Sequence, residues 1–256
     1  MVVAGKGRLD VPLGTEEKRM KKPFFQRVKR HLSRIYLRPI RVFVFHQVSD
    51  KFEPETMWEC DWTQTDVFKR NMSSLMEKFT FLSLPEVCEH LAKDKIRLKN
   101  YAALTADDGW YSLTNILPWL TERRIPVTLF LNPSCLDGQH WNSRETDHLL
   151  TEEQVRSILE KGKPFISVAS HGWTHKNSKE MTMEEFEDSV MMSEEVLDRM
   201  PGKVPFFAFA SGRHTSKQVS FLKDKGLIPV FMDGKDNEKE CHEIHRYCLD
   251  GESHDF

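Results

Sequence analysis

The chain of 256 residues lacks any long uncharged apolar run, which excludes an ordinary membrane-spanning helix. It lacks a CxxC pair. Its five cysteines, Cys60, Cys88, Cys135, Cys241 and Cys248, are scattered, which argues against a zinc ribbon and reads as reduced thiols in the cytoplasm. A charge excess is also missing: 37 Lys and Arg stand against 39 Asp and Glu, so the chain as a whole is no polyanion binder and no nucleic-acid partner is expected. The opening "MVVAGKGRLDVPLG" is broken by Lys6, Arg8 and Asp10 and so has no apolar core of a secretory signal. With neither sequence repeat nor low-complexity linker, one domain with a sizeable core is the expected plan.

What charge bias there is lies near the start. Between Lys18 and Arg41 there are ten Lys or Arg residues and no acid, while Phe24, Phe25, Val28, Leu32, Ile35 and Tyr36 recur at helical spacing. This predicts a basic amphipathic helix within an extension over 1–39. The helix either packs on the domain or, through residues 18–41, makes a peripheral contact with an anionic membrane surface, on its inner face for a cytoplasmic protein.

From 40 to 256 the pattern is regular. Short apolar runs, "IRVFVF", "TFLSL", "AALTA", "PVTLFLN", "FISVAS", "PFFAFA" and "LIPVFM", alternate with helical stretches such as "TEEQVRSILEKG" and "MTMEEFEDSVMMSEEVLDRM". The stretch "SLTNILPWLTERRI" predicts a helix kinked at Pro118. Repeated strand–helix units imply parallel βαβ connections, hence an α/β barrel or a doubly wound sheet.

In such folds sites are built at the carboxyl ends of strands. Several polar residues stand there: His46 after "VFVF", Asp107 and Asp108 after "AALTA", His171 after "FISVAS", and Ser211 with Gly212 after "FFAFA". His171 and His175 are four residues apart in "SHGWTHKN", and with one carboxylate they make a set suited to zinc or a similar divalent metal. Adjacent acids repel, which raises one pKa unless a cation intervenes. Metal binding by Asp108 would free Asp107 as a general base, whereas the alternative is that one acid caps the following helix.

These residues resemble the polysaccharide deacetylases of the NodB-homology type, carbohydrate esterase family 4. "LTADDGW" is similar to its first motif, "SHGWTH" to its His-Ser/Thr-x-x-His metal motif, and "FFAFASGRH" to a Phe-Ala-Tyr-Pro-Tyr-Gly segment. "VFVFHQVSD" resembles the opening strand of the permuted members that act on poly-N-acetylglucosamine. The resemblance implies a distorted (β/α) barrel of about seven strands and metal-dependent N-deacetylation of an acetamido sugar. It implies Asp107 as base, His46 as general acid, and Asp108, His171 and His175 as ligands of a divalent metal, Zn2+ first, with Co2+, Ni2+ or Mn2+ also acceptable to that set. A backbone N–H near Ser211 and Gly212 would hold the oxyanion. The substrate, an N-acetylated sugar, would be a glycan, glycolipid or nucleotide-sugar intermediate of surface-polysaccharide assembly.

The departures are Ala106 for the usual aromatic, Gly172 for a hydroxyl residue, and Ala210-Ser211 where Pro-Tyr is common. The arginine that braces the base in many members has no counterpart in "FFAFASG", which leaves Arg213 and Arg246 as candidates. Trp110 and Trp173 flank the motifs, where an indole could stack on a sugar or pack on the rim. Asp137, His140 and Trp141 read as a solvated loop that could line a groove. The segment "ECHEIHRYCLDGESHDF", with His242, His245 and His254, reads as a structural tail. Two other functions compete: a non-catalytic carbohydrate-binding protein on a decayed deacetylase fold, and hydrolysis of a different amide.

Overall fold

The computed structural model describes residues 38–51, 61–93, 97–137 and 149–249. Of the basic helix expected over 18–41, residues 18–37 lie outside them, as do His140, Trp141, His254 and Cys60, while its last four residues are not helical: Ile40 and Arg41 open the first strand. The chain divides into two units. Of the smaller, Met1–Arg38 with Lys95–Leu98, the described residues are Arg38, Arg97 and Leu98, where Arg97 Nε donates to the Arg38 carbonyl at 2.7 Å. The larger, Pro39–Asp94 with Lys99–Phe256, holds every strand and helix described below. No helix among the described residues is long and apolar enough to cross a membrane.

Seven parallel strands close on themselves. They are β1 (Ile40–Phe45), β5 (Tyr101–Asp107), β6 (Val127–Leu131), β7 (Ile166–Ser170), β8 (Lys203–Ala208), β9 (Ile228–Phe231) and β10 (Ile244–Cys248). The order runs in sequence from β5 to β10, and β1 completes the ring by pairing with β10 on one side and β5 on the other. Two shorter strands, β2 (Gln47–Val48) and β3 (Trp62–Thr63), pair apart from the ring. The α-helices among the described residues are α1 (Thr65–Lys78), α2 (Leu84–Lys93), α3 (Leu117–Glu122), α4 (Glu152–Lys161), α5 (Met183–Leu197) and α6 (Ser216–Asp224).

The count of seven agrees with expectation, but the membership differs. "TFLSL" contributes only β4 (Thr80–Phe81), which pairs with Tyr101 and Ala102 before β6 takes over that edge of β5 at Leu104. The seventh stave is β10, from the segment read as a tail. The predicted kinked helix is also two pieces: a 3-10 turn over Tyr111–Asn115 and then α3, with Pro118 in its first turn, where the missing N–H costs nothing.

The strands are buried on both faces, as parallel sheets covered by helices must be. Phe43, Phe45, Leu104 and Leu129 pack outward against Phe68 and Met72 of α1 and Leu117 and Leu120 of α3. The alternate positions, Val42, Ala103, Phe130, Ala169, Phe206, Ala208, Val230 and Ile244, form a second cluster and face inward. By the same alternation Thr105, Asp107 and Arg246 point into the barrel.

The reading of five reduced thiols is corrected. Cys88 of α2 and Cys241, just before β10, form a disulfide across 153 residues of chain with Cα atoms 4.9 Å apart. Cys135 is a buried thiol. Sequence spacing gave no sign of the pair because the two cysteines meet only once β10 has been carried round the barrel.

Candidate metal and acid-base centre

The site lies at the carboxyl ends of β1, β5, β7 and β8. Asp107 is the last residue of β5, and Asp108 follows in the left-handed region at φ 72°. An aspartate tolerates that conformation better than most side chains, but it is strained there, a condition that clusters at functional sites. Gly109, at φ 77°, continues the turn. A Cβ at this position would stand 2.7 Å from Leu131 Cδ2 and displace that side chain, and the positive φ would strain any other residue, so glycine suits the turn against β6.

Arg246 grips Asp107 with two parallel bonds, 2.6 Å to Oδ1 and 2.8 Å to Oδ2, and also donates to Thr105 Oγ1 at 3.1 Å. Its guanidinium carbon sits 5.2 Å from the centre of the Phe130 ring. Both partners are buried, Arg246 at 2% exposure and Asp107 at 3%. Burial alone would raise the Asp107 pKa. The Arg246 charge, with help from His171, outweighs it and holds the carboxyl below its ordinary value, so it stays ionised. Of the two candidate braces, the structure therefore selects Arg246.

Asp108, His171 and His175 converge. Oδ1 of Asp108 is 3.3 Å from Nε2 of each imidazole, and the three ligand atoms lie within 4.8 Å of one another. Among the described residues this is the one such group of His, Cys, Asp or Glu. His171 Nδ1–H donates to the Ala208 carbonyl at 2.9 Å; a carbonyl can only accept, so Nε2 is left to present its lone pair towards Asp108. Asp108 Oδ1 is buried and accepts no hydrogen bond. Acceptor facing acceptor at this distance requires a proton or a cation between them.

The electrostatics agree with a cation. Burial disfavours the Asp108 charge, but His175 and His171 override it and drive its pKa far down. Burial is the main cause that pushes His175 down to about 4, so it is neutral near pH 7, the form that ligates a metal. Burial also works against a charge on His171; Asp107 and Asp108 overcome it and hold that imidazole above its ordinary value when a proton takes the cation's place. The donor set therefore fits a divalent metal.

His46 directly follows β1, and the pairing of Phe45 with Ala106 brings it to the level of Asp107. It is 8% exposed, and its charge acts on Asp107, Asp108 and His175. Ser211 and Gly212 lie in a 3-10 turn after β8, with Ser211 at φ 57°; the Gly212 amide is already bonded to the Phe209 carbonyl at 2.9 Å.

Of the two readings left open for Trp110, stacking on a sugar or packing on the rim, its burial favours packing. It is 5% exposed, and its Nε1 donates to Asp108 Oδ2 at 3.2 Å, so it steadies a ligand and offers no face to a ring. Trp173 is partly exposed. Asp137 is exposed and bridges to Thr151. His242 pairs with Glu240, and His245 with Asp233 and Glu243.

Sequence reasoning missed Asn132. It ends the β6 stretch "PVTLFLN", and its Nδ2 donates to the carbonyls of His171 and Gly172 at 2.8 and 3.2 Å. Its place after a strand was the available signal.

A family model described as polysaccharide deacetylase matches residues 94–230. Similar solved structures include IcaB from Ammonifex degensii, 18% identical, with TM-score 0.71 over 83% of this chain and 92% of that one. The Streptococcus pyogenes deacetylase PplD in complex with acetate is also 18% identical, with TM-score 0.66 over 83% of this chain and 92% of that one. A de-N-acetylase from Aggregatibacter actinomycetemcomitans is 16% identical, with TM-score 0.65 over 82% and 95%. No curated protein matches. The matched span contains both acids and both metal-site histidines and leaves out His46 and Arg246.

Proposed function

The chain belongs to the polysaccharide deacetylase family and is a deacetylase of acetylated sugars, and on that premise we propose that it hydrolyses the N-acetyl group of an acetamido sugar with a divalent metal held by Asp108, His171 and His175. The observation that carries this reading is the division of labour between the adjacent acids: Asp108 joins the two imidazoles, while Asp107 is turned to Arg246. A metal so held supplies positive charge against the oxyanion that develops on the acetyl group. Asp107, kept ionised by Arg246, takes a proton from the attacking water. The water oxygen bonds to the acetyl carbon, and as the C–N bond breaks His46 gives its proton to the departing nitrogen. The products are acetate and a free amine on the sugar, and the two side chains recover their starting states by exchanging one proton with solvent. The backbone amide of Ser211 is assigned to the oxyanion, since that of Gly212 is occupied. Zn2+ leads the candidate metals from the donor types.

The test is acetate release from N-acetylated sugars, nucleotide-sugars and oligosaccharides by Zn2+-loaded protein, beside Asp107→Asn and a chelated control. Release that survives both controls would sink this reading. Stoichiometric metal with no release from any member would favour a different amide. A contact of residues 18–41 with an anionic membrane surface belongs to the same proposal, supported by their ten cations, of which Arg41 lies in β1 and pairs with Asp236; co-sedimentation with neutral vesicles equal to that with anionic ones would defeat it. A cytoplasmic location loses the support of reduced thiols, because a disulfide persists mainly in oxidising compartments.

A further inference from the structure

The loop from His171 to His175 carries both imidazoles, and its hold on the fold comes from two sides. On one side β6 takes its backbone: Leu131 accepts from the His171 amide at 2.9 Å, and Asn132 donates to the carbonyls of His171 and Gly172. On the other side the amides of Gly172 and Trp173 meet hydroxyls. Gly172 N–H donates to Ser170 Oγ at 3.1 Å, and Trp173 N–H to Ser189 Oγ at 2.9 Å. Ser170 Oγ in turn shares a hydrogen bond with Ser193 Oγ at 2.7 Å.

Ser189 and Ser193 are one turn apart on α5, which lies along β7, and they are 8% and 0% exposed. Serine in the middle of a helix is a poor choice for helix formation alone, and a buried hydroxyl is costly unless bonded. Both observations point to a task beyond the helix. Gly172 sits at φ 84°, a conformation that favours glycine and turns the loop so that the next amide meets the helix hydroxyl.

We infer that Ser189 and Ser193 are positioning residues that set the metal-binding geometry of His171 and His175 through the backbone of the loop between them. This rests on the reading that Asp108, His171 and His175 hold a divalent metal. Neither hydroxyl touches an imidazole. Their effect is to fix the loop before the metal arrives, so that binding carries less of the cost of ordering it.

The experiment is calorimetric titration of the metal-free full chain with Zn2+, alongside its thermal midpoint. Wild type binds one Zn2+. Ser189→Ala and Ser193→Ala bind it roughly ten- to hundredfold more weakly, in line with losses of outer partners at other metal centres. Ser189→Thr, which keeps the oxygen, stays within about threefold of wild type, and Met192→Ala, on an exposed position of the same helix, is unchanged. If Ser189→Ala does not fold, Ser193→Ala carries the same expectation, because it reaches the loop through Ser170. Folded alanine variants with wild-type affinity overturn the inference and leave the metal site standing. A wild-type chain that binds no Zn2+ overturns the metal reading, and this inference with it.

Discussion

At the residue scale the decisive contact is the buried bidentate pair of Arg246 and Asp107. Removing one partner of such a pair strands the other's charge, at a cost of about 3–5 kcal/mol. Arg246→Met should therefore lower the denaturant midpoint by a corresponding amount, and Arg246→Lys should fail to restore it, since an ammonium cannot reproduce the planar fork. Asp107 titrates below its ordinary value in the fold, so it contributes stability above about pH 4, lost as pH falls through the folded value. Without the Arg246 charge the largest opposition to burial is lost and the folded value rises. Acid unfolding of Arg246→Met, followed by circular dichroism, should then begin at higher pH than in wild type. Asp107→Asn should cut acetate release by about 10²–10⁴ while leaving Zn2+ affinity within severalfold. The acids, His46 and His171 were legible because each stands where an apolar run stops, and strand ends are where parallel α/β folds place chemistry; His175 was legible from its spacing to His171. Arg246 could only be nominated: its partner is 139 residues away, and its own strand is disguised by the charge it carries inward. Trp110 could not be assigned to sugar or rim, because a motif's neighbour reveals nothing of which way its ring turns.

At the scale of elements, the alternation of strand and helix was plain, but two short runs exchanged roles. "TFLSL" looks like a barrel strand from its apolarity, yet its pairing stops at Phe81 and Leu84 already begins α2. "IHRYC" looks like a tail, yet Ile244 is fully buried between its neighbours. Ile244→Ala should cost about 2–5 kcal/mol, as in a packed core, whereas a residue in a solvated tail would cost almost nothing; chemical unfolding separates the two. Four of the described helices begin with reciprocal caps, Ser83 with Glu86, Thr151 with Gln154, Thr182 with Glu185 and Thr215 with Gln218, a spacing visible in the sequence. Thr182→Ala should reduce stability by about 1 kcal/mol in the same assay.

At the scale of the whole molecule, a metal bound only by the folded chain stabilises it by mass action, by about 2.7 kcal/mol when free metal is a hundredfold above Kd. Zn2+ should therefore raise the melting temperature of wild type and leave Asp108→Ala unmoved, a comparison that needs no substrate. The barrel itself was legible from the repeated units and from motif resemblance, but its seam was not. The seam is β1 against β10: β1 supplies the position of His46, and β10 supplies Arg246. During synthesis β1 emerges early and can pair with β5, but its other edge stays open until some two hundred further residues have followed, an interval that at about 5–20 residues per second spans roughly ten to forty seconds. Throughout that interval the growing chain exposes an unpaired edge, and its base lacks a counter-ion. The last stave to leave the ribosome both seals the barrel against edge-to-edge association and arms its base, so a prematurely ended chain is left sticky and inert together.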